Sequence, residues 1–379
     1  MSFRKEASGY AALMQGDRRH LHRIPEIGDD LPETKAYLLR RLSQMECETG
    51  RFMHSGITAF FDFGKRETLA FRTDMDALEI EERTGREFSS RHEGCMHACG
   101  HDGHMAMVLA LADYCDDADD LPVNVLLIFE PAEESLGGAE TVCESGILDE
   151  KNVKAVFGFH MYPFGKKGEV TTRPGAMMAQ SCEIDVTVKG RAAHAAERRG
   201  GIDAVEAAAE FVYKVHMMRA EETPVDENTI ISFGIIRGGT MRNIFADHVD
   251  IRGTMRAYNA DLFRRLQTKI RETAKRTAAG TGAKFSVDFS EGFPPVMNNE
   301  KLYEKVRPLL EEEGVTLKPE PEMISDDFSF FGLYRPSLYL FLGTGTGRPL
   351  HTDDFDFDES VLVSGLAVYI ALVNKYAYL

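Results

Sequence analysis

Four short apolar runs, Thr68–Arg72, Val123–Phe129, Ala155–Phe159 and Ser337–Leu342, each give way abruptly to a polar turn. Runs this short, bounded in this way, read as strands buried on both faces, the pattern of a parallel sheet under helices. The turns carry Asp74, then Glu133 and Glu134, then His160 and, past the Gly-rich stretch Gly343–Gly347, His351. Open α/β sheets bind ligands at the carboxyl ends of their strands. These side chains, each expected just past a strand end, should therefore converge on one edge. Between the runs, Thr34–Met45 and Ser360–Lys375 have the period of amphipathic helices, and Asp102 is placed to cap a helix through Met105–Ala112.

Residues 181–291 follow a different rhythm. Ser181–Lys189 alternates, with Ile184, Val186 and Val188 on one face, as in a half-exposed antiparallel strand. A helix at Ile202–Met218, strands at Thr229–Ile236 and His248–Ala257, a helix at Asp261–Ala279 and a strand at Lys284–Phe289 complete a β-α-β-β-α-β order, which is ferredoxin-like. The expected fold class is α/β. A mixed, largely parallel sheet flanked by helices, residues 1–180 and 292–379, is interrupted by an inserted α+β domain, 181–291. A length of 379 residues suits two domains.

The stretch Cys95–His104 packs two thiols and three imidazoles into ten residues. Thiolate and imidazole are ligands of zinc and its first-row neighbours. Alone, this cluster could be a structural zinc knuckle or a redox site, and Cys99 and His101 a structural Cys-x-His pair or a buried thiol beside a histidine. With the distant Glu134, His160 and His351, however, Cys99 and His101 make five donors. That is too many for one tetrahedral zinc with an open position, and it suits two cations sharing ligands. Adjacent glutamates in a loop can divide the work, one binding metal while the other faces a bound water. Cys95, His97 and His104 are expected to support the loop and helix start. Gly343–Gly347 lacks a P-loop ending and reads as a flexible connection that places His351. There is no Gly-x-Ser-x-Gly elbow.

A net charge of −17 argues against nucleic acid. Segment 181–291 is nearly neutral, with 17 basic and 16 acidic side chains, against 27 and 45 in the remainder. A local surplus of Arg would suit a substrate carboxylate, although ordinary scatter between domains explains it as well. The apolar runs are too short to span a bilayer. The first residues lack the apolar core of a secretory signal, and six irregularly spaced cysteines do not form a disulfide framework, so a cytoplasmic protein is expected.

Nearly the whole chain resembles the metal-dependent amidohydrolases and carboxypeptidases that include bacterial aminoacylases, hippurate hydrolases, N-acetyl-diaminopimelate deacetylases and auxin-conjugate hydrolases. The matching segments are Leu21–Glu26, Arg72–Leu78, Met96–His104, Pro131–Glu134, Gly158–His160, Leu350–His351, Lys189–Ala196, Gly238–Ile244 and Arg252–Arg256. The resemblance implies a zinc-exopeptidase-like catalytic domain and a lid that makes a homodimer contact, with a tetramer as the alternative. It implies two divalent cations per subunit, zinc foremost and manganese, cobalt or nickel also compatible. These would be held by Cys99, His101, Glu134, His160 and His351, with Glu133 as general acid/base. Asp74 matches an aspartate that steers a metal-bound histidine, while Arg72 stands where relatives place a ligand that His101 replaces. His194 matches an oxyanion-stabilising histidine, often one serving the partner subunit's site, and Asn243 and Arg256 match positions linked to a substrate carboxylate. After His194 the chain reads Ala-Ala-Glu-Arg-Arg-Gly-Gly-Ile-Asp203, where many relatives have a Pro and another His; Arg198 and Arg199 would either alter substrate preference at the cleft edge or be solvated. The implied reaction is hydrolysis of an N-acyl amino acid or related amide. A dipeptidase or metallocarboxypeptidase, or a metal-binding homologue without catalysis, are the alternatives.

Overall fold

The computed structural model describes residues 2–135, 137–197, 199–224 and 228–379. Arg198 lies outside them. The chain divides into two compact units, one of Met1–Met177, Val296–Glu320 and Asp327–Leu379, the other of Met178–Pro295 and Pro321–Asp326.

The first unit is built on an eight-stranded mixed sheet. Its spatial order is Glu48–Phe52, Gly56–Phe61, Asn124–Glu130, Thr68–Asp74, Val153–Tyr162, Ser337–Gly343, Val170–Thr172 and Thr316–Leu317. The central strands Asn124–Glu130, Thr68–Asp74, Val153–Tyr162 and Ser337–Gly343 run parallel. Three of them are buried at every position, which is why they read as unbroken apolar runs rather than alternating ones. Their register sets Asp74 beside Glu130 and His160 beside Phe341.

Two helical expectations change. Asp102 does not cap the helix His101–Asp116; the cap position is Gly100, at φ +89°, and Asp102 sits inside the first turn. A side chain at 100 would also bring its Cβ to 2.8 Å from Met161 Cγ, so only glycine fits here. The helix Leu362–Lys375 is not amphipathic but buried on nearly every face. Segment Glu359–Tyr378 is long and apolar enough to cross a membrane by composition, yet 72% of it is buried inside the protein. It is a core helix, packed against His101–Asp116 and the helix Glu300–Glu312.

In the second unit, strands Gln180–Lys189, Thr229–Gly238, His248–Ala257 and Lys284–Phe289 form one antiparallel sheet, with the last strand beside the first and the third beside both first and second. Helices Ala204–Glu222 and Ala260–Thr281 cover one face, and each has a side-chain cap: Asp203 accepts from the Val205 N–H, and Asn259 from those of Asp261 and Leu262. Ile184, Val186 and Val188 point into this core with Phe211, Ile251 and Leu266.

Candidate active site

Five segments of the first unit deliver polar side chains to one place. Glu133 and Glu134 follow the strand Asn124–Glu130 in a tight turn started by Ala132, which adopts φ +67°. The carboxylate of Asp76 fixes this turn, its two oxygens accepting the N–H groups of Glu133 and Glu134 at 3.1 Å each. His160 lies within the strand Val153–Tyr162 rather than past its end. Cys99 and His101 follow no strand directly; they flank the Gly100 cap of a buried helix. His351 comes from the Gly-rich connection, which is latched rather than flexible. The N–H groups of Gly343, Gly345 and Gly347 donate to the carbonyls of Glu169, Gly165 and Pro163, and a Cβ at Gly343 would come within 2.1 Å of the Lys166 carbonyl. His351 then takes φ +60° and donates its N–H to the Ala98 carbonyl at 2.9 Å, beside Cys99.

The donors converge. Cys99 Sγ lies 3.4 Å from His160 Nε2 and 3.3 Å from His351 Nε2. Glu134 Oε1 lies 3.1 Å from His351 Nε2 and 3.9 Å from His101 Nε2, and Glu133 Oε2 is 4.0 Å from that same His101 nitrogen. Two triads, Cys99–His101–His160 and Cys99–Glu134–His351, each have their donor atoms within 4.8 Å of one another, and they share the thiol.

Hydrogen bonds outside the cluster decide which imidazole nitrogen faces inward. His101 Nδ1–H donates to the Asp76 main-chain carbonyl at 2.8 Å, and His160 Nδ1–H to the Met161 carbonyl at 2.8 Å, which turns both Nε2 atoms to the centre. Both nitrogens of His104 are engaged in hydrogen bonds: Nε2 accepts the Met161 N–H at 2.9 Å, and Nδ1–H donates to Asp74 at 2.7 Å. Asp74 thus orients His104; its other oxygen is 3.8 Å from His101 Nε2. His97 is buried, with neither ring nitrogen hydrogen-bonded among the described residues, and burial drives it down to about 3, so it stays neutral.

The arrangement fits cations. His101 Nε2 is buried without a hydrogen-bond partner among the described residues, a costly state for a polar atom unless another group takes up its lone pair. Burial would lower the His101 pKa, yet Asp74, Asp76 and Glu134 outweigh it and raise it to about 10. The carboxylates around His101 thus favour positive charge at this place. Burial, followed by the nearby carboxylates Glu134 and Glu133, pushes the Cys99 thiol up, so its ionisation needs the same compensation.

Arg72 supports this assembly from below. It bonds Asp74 and Glu130 at 2.9 Å each and Asp327 at 2.6 Å, with all four side chains nearly inaccessible. The sequence marks Arg72 as out of place for a ligand, but nothing local announces its partner Asp327, far along the chain.

In the second unit, His194 and Asn243 are neighbours. Residues His194 and Ile244 form an isolated antiparallel bridge, and the Ala195 N–H donates to the Asn243 carbonyl at 2.9 Å. The Ala196 N–H donates to His194 Nδ1 at 3.2 Å, which leaves Nε2 as the protonated, donating nitrogen of a neutral ring. Arg256 lies on the strand His248–Ala257, and its Nε is buried with no hydrogen-bond partner among the described residues.

A family model described as peptidase family M20/M25/M40 matches residues 70–375. The chain belongs to this family. A Staphylococcus epidermidis protein known as an uncharacterized hydrolase is 31% identical over 370 residues, 95% of this chain and 97% of the relative. Among solved structures, a proposed aminohydrolase from methicillin-resistant Staphylococcus aureus superposes with a TM-score of 0.91 at 28% identity, covering 99% of this chain and 100% of that one. A Bacillus subtilis dinuclear metal-binding peptidase of family M20 gives a TM-score of 0.81 at 26% identity, covering 97% and 99%. As an M20 protein, this chain is a metal-dependent hydrolase of amide or peptide bonds.

Proposed function

We propose that this M20 hydrolase cleaves the amide bond of N-acyl-L-amino acids or closely related amide conjugates, giving a carboxylic acid and a free amino acid. The observation that carries the reading is the pair Glu133–Glu134. One turn, held by one carboxylate, sends Glu134 into the triad with Cys99 and His351, whereas Glu133 stays out of both thiol-containing triads and meets the cluster only beside His101, 4.0 Å from its Nε2, in a group with Glu134. That division is what metal-assisted hydrolysis requires.

Cys99, His101, Glu134, His160 and His351 would hold two divalent cations, zinc, manganese, cobalt and nickel all suiting so mixed a donor set. When bound, the pair supplies Lewis acidity, polarising the scissile carbonyl and bringing the pKa of a water towards about 7. Glu133 takes the proton from the attacking water and delivers it to the departing nitrogen. His194 donates from Nε2 to the oxyanion that develops on the carbonyl oxygen, a role its tautomer supports. Asn243 and Arg256 receive the substrate carboxylate, and the unpartnered Nε of Arg256 is consistent with that. A homodimer through the inserted unit is part of the proposal. Strand Thr229–Gly238 is a sheet edge with Ile236 52% exposed, which suits pairing with a second copy.

A second reading, hydrolysis of a short peptide, is favoured by the B. subtilis M20 peptidase. A panel of N-acetyl, N-benzoyl and dipeptide substrates, run with each divalent cation, separates the two by release of free amine. Glu133→Gln is expected to keep metal content and melting temperature while kcat falls about 10²- to 10⁴-fold. Undiminished turnover by that variant would remove Glu133 from the chemistry.

A further inference from the structure

We propose that Asp76 is the positioning residue that sets the catalytic turn of this hydrolase, acting through Glu133 and Glu134 without touching substrate. The inference rests on the hydrolytic reading above and adds a residue to it. Asp76 is 1% exposed. Its two carboxylate oxygens accept from successive backbone N–H groups, Oδ1 from Glu133 and Oδ2 from Glu134, both at 3.1 Å. Successive peptide N–H groups point to opposite sides in a strand but can converge on one anion in a turn, and Ala132 at φ +67° provides that turn. Non-glycine residues resist the left-handed region by roughly 1–2 kcal/mol, so the conformation needs an outside restraint. A buried carboxylate bridging both N–H groups is such a restraint, because charge-assisted bonds are about twice as strong as neutral ones.

The same residue acts a second time through its backbone. Its main-chain carbonyl accepts His101 Nδ1–H at 2.8 Å and turns His101 Nε2 into the cluster. One residue thus fixes the proton-transferring carboxylate, a carboxylate donor and an imidazole donor, from two separate segments. Substitution of the side chain bears unequally on these roles: the carbonyl bond to His101 does not depend on the side chain, although Asp76 Oδ1 also lies 3.7 Å from His101 Nδ1, whereas the hold on the Glu133–Glu134 turn depends on it entirely. Asparagine is the sharpest probe, since it keeps the volume but offers one acceptor and presents an N–H₂ group to the other peptide N–H.

The test measures Asp76→Asn alone and in the Glu133→Gln background, on the N-acyl substrate that the panel identifies. Alone, kcat is expected to fall about 10- to 100-fold, the range seen when a group orienting site residues is lost, with KM moving less. In the Glu133→Gln background, with the cation held saturating so that the weaker Glu134 site is filled, a further loss of no more than about twofold is expected, because both changes then act on one function. Co(II) titration of the metal-free protein, followed by absorbance, should show affinity weakened about tenfold for the site that uses Glu134. In the unsubstituted protein, backbone amides of Glu133 and Glu134 should exchange hydrogen at least about 100-fold more slowly than in a free loop. That measurement holds even if Asp76→Asn does not fold. Wild-type kcat and Co(II) affinity in Asp76→Asn, a full additional loss in the double variant, or unprotected amides at Glu133 and Glu134 would each overturn the proposal. Retained turnover in Glu133→Gln instead strikes the hydrolytic reading itself.

Discussion

In the sheet-centred unit, Arg72 is about 1% exposed and bonds three carboxylates. In the inserted unit, Arg252 and Asp185 face each other across two strands 3.9 Å apart, with side chains 68% and 60% exposed. The contrast runs through both units. The first buries a second ionic knot, in which Arg18 joins Asp102 and Asp356 while His22 bonds Asp102 and Glu82. Within the described strands and helices of the second, the buried polar side chains are threonines: Thr229, Thr273 and Thr277. Burying charge costs several kcal/mol per ion unless every partner is in place. A domain tolerates that cost where fixed charges must frame a site. The helices and strands of the inserted unit enclose an ordinary apolar core, and most of their charged groups lie on the surface.

Experiments can break this contrast or sharpen it. Arg72→Met should have the largest effect on stability. It leaves three buried carboxylates without their cation, and a loss of roughly 3–5 kcal/mol is expected in chemical denaturation. A loss below about 1 kcal/mol would mean that the buried knot is no tighter than a surface pair. His194→Ala tests the other side. If the inserted unit acts only through its surface, kcat should drop about 10²- to 10³-fold while melting temperature and metal content stay put. A drop in stability without one in kcat would make His194 structural.

Acid provides a subtler comparison. Burial would raise the Glu82 pKa, but His22, the Ser90 N–H and Thr84 outweigh it and bring it down to about 2. A carboxylate whose folded pKa is depressed adds stability that is complete above the unfolded value, about 4.5, and fades as pH falls towards 2. The wild type should therefore lose more melting temperature between pH 5 and pH 3 than Glu82→Gln does; equal losses would sever Glu82 from the knot. Smallest of all, Asp185→Ala should move the melting temperature by about 1 °C or less.

These outcomes bear on how much of the molecule could be read from its residues. The strand runs at 68, 123, 155 and 337, and the β-α-β-β-α-β order of the insertion, were visible because periodicity of burial is written locally. Four features were less so. His160 is inside its strand because the parallel pairing with Ser337–Gly343 carries on through it. The glycines at 343, 345 and 347 look like slack, but they allow close backbone approach and hydrogen bonding to residues 163–169. The helix Leu362–Lys375 is packed on faces whose partners come from distant elements, so its pattern alone could not show full burial. Asp76, two residues beyond Asp74, gave no sign of its hold on a turn nearly sixty residues away.

The residues alone fixed which elements form and which donors are available: a thiol, imidazoles and paired glutamates at the ends of apolar runs. Whether those donors share one centre, and which nitrogen each ring presents to it, was decided only by the fold. The reason is physical. Side-chain type and apolar spacing act between near neighbours, whereas the carbonyls, peptide N–H groups and carboxylates that fix a tautomer or a left-handed turn arrive from elsewhere in the chain.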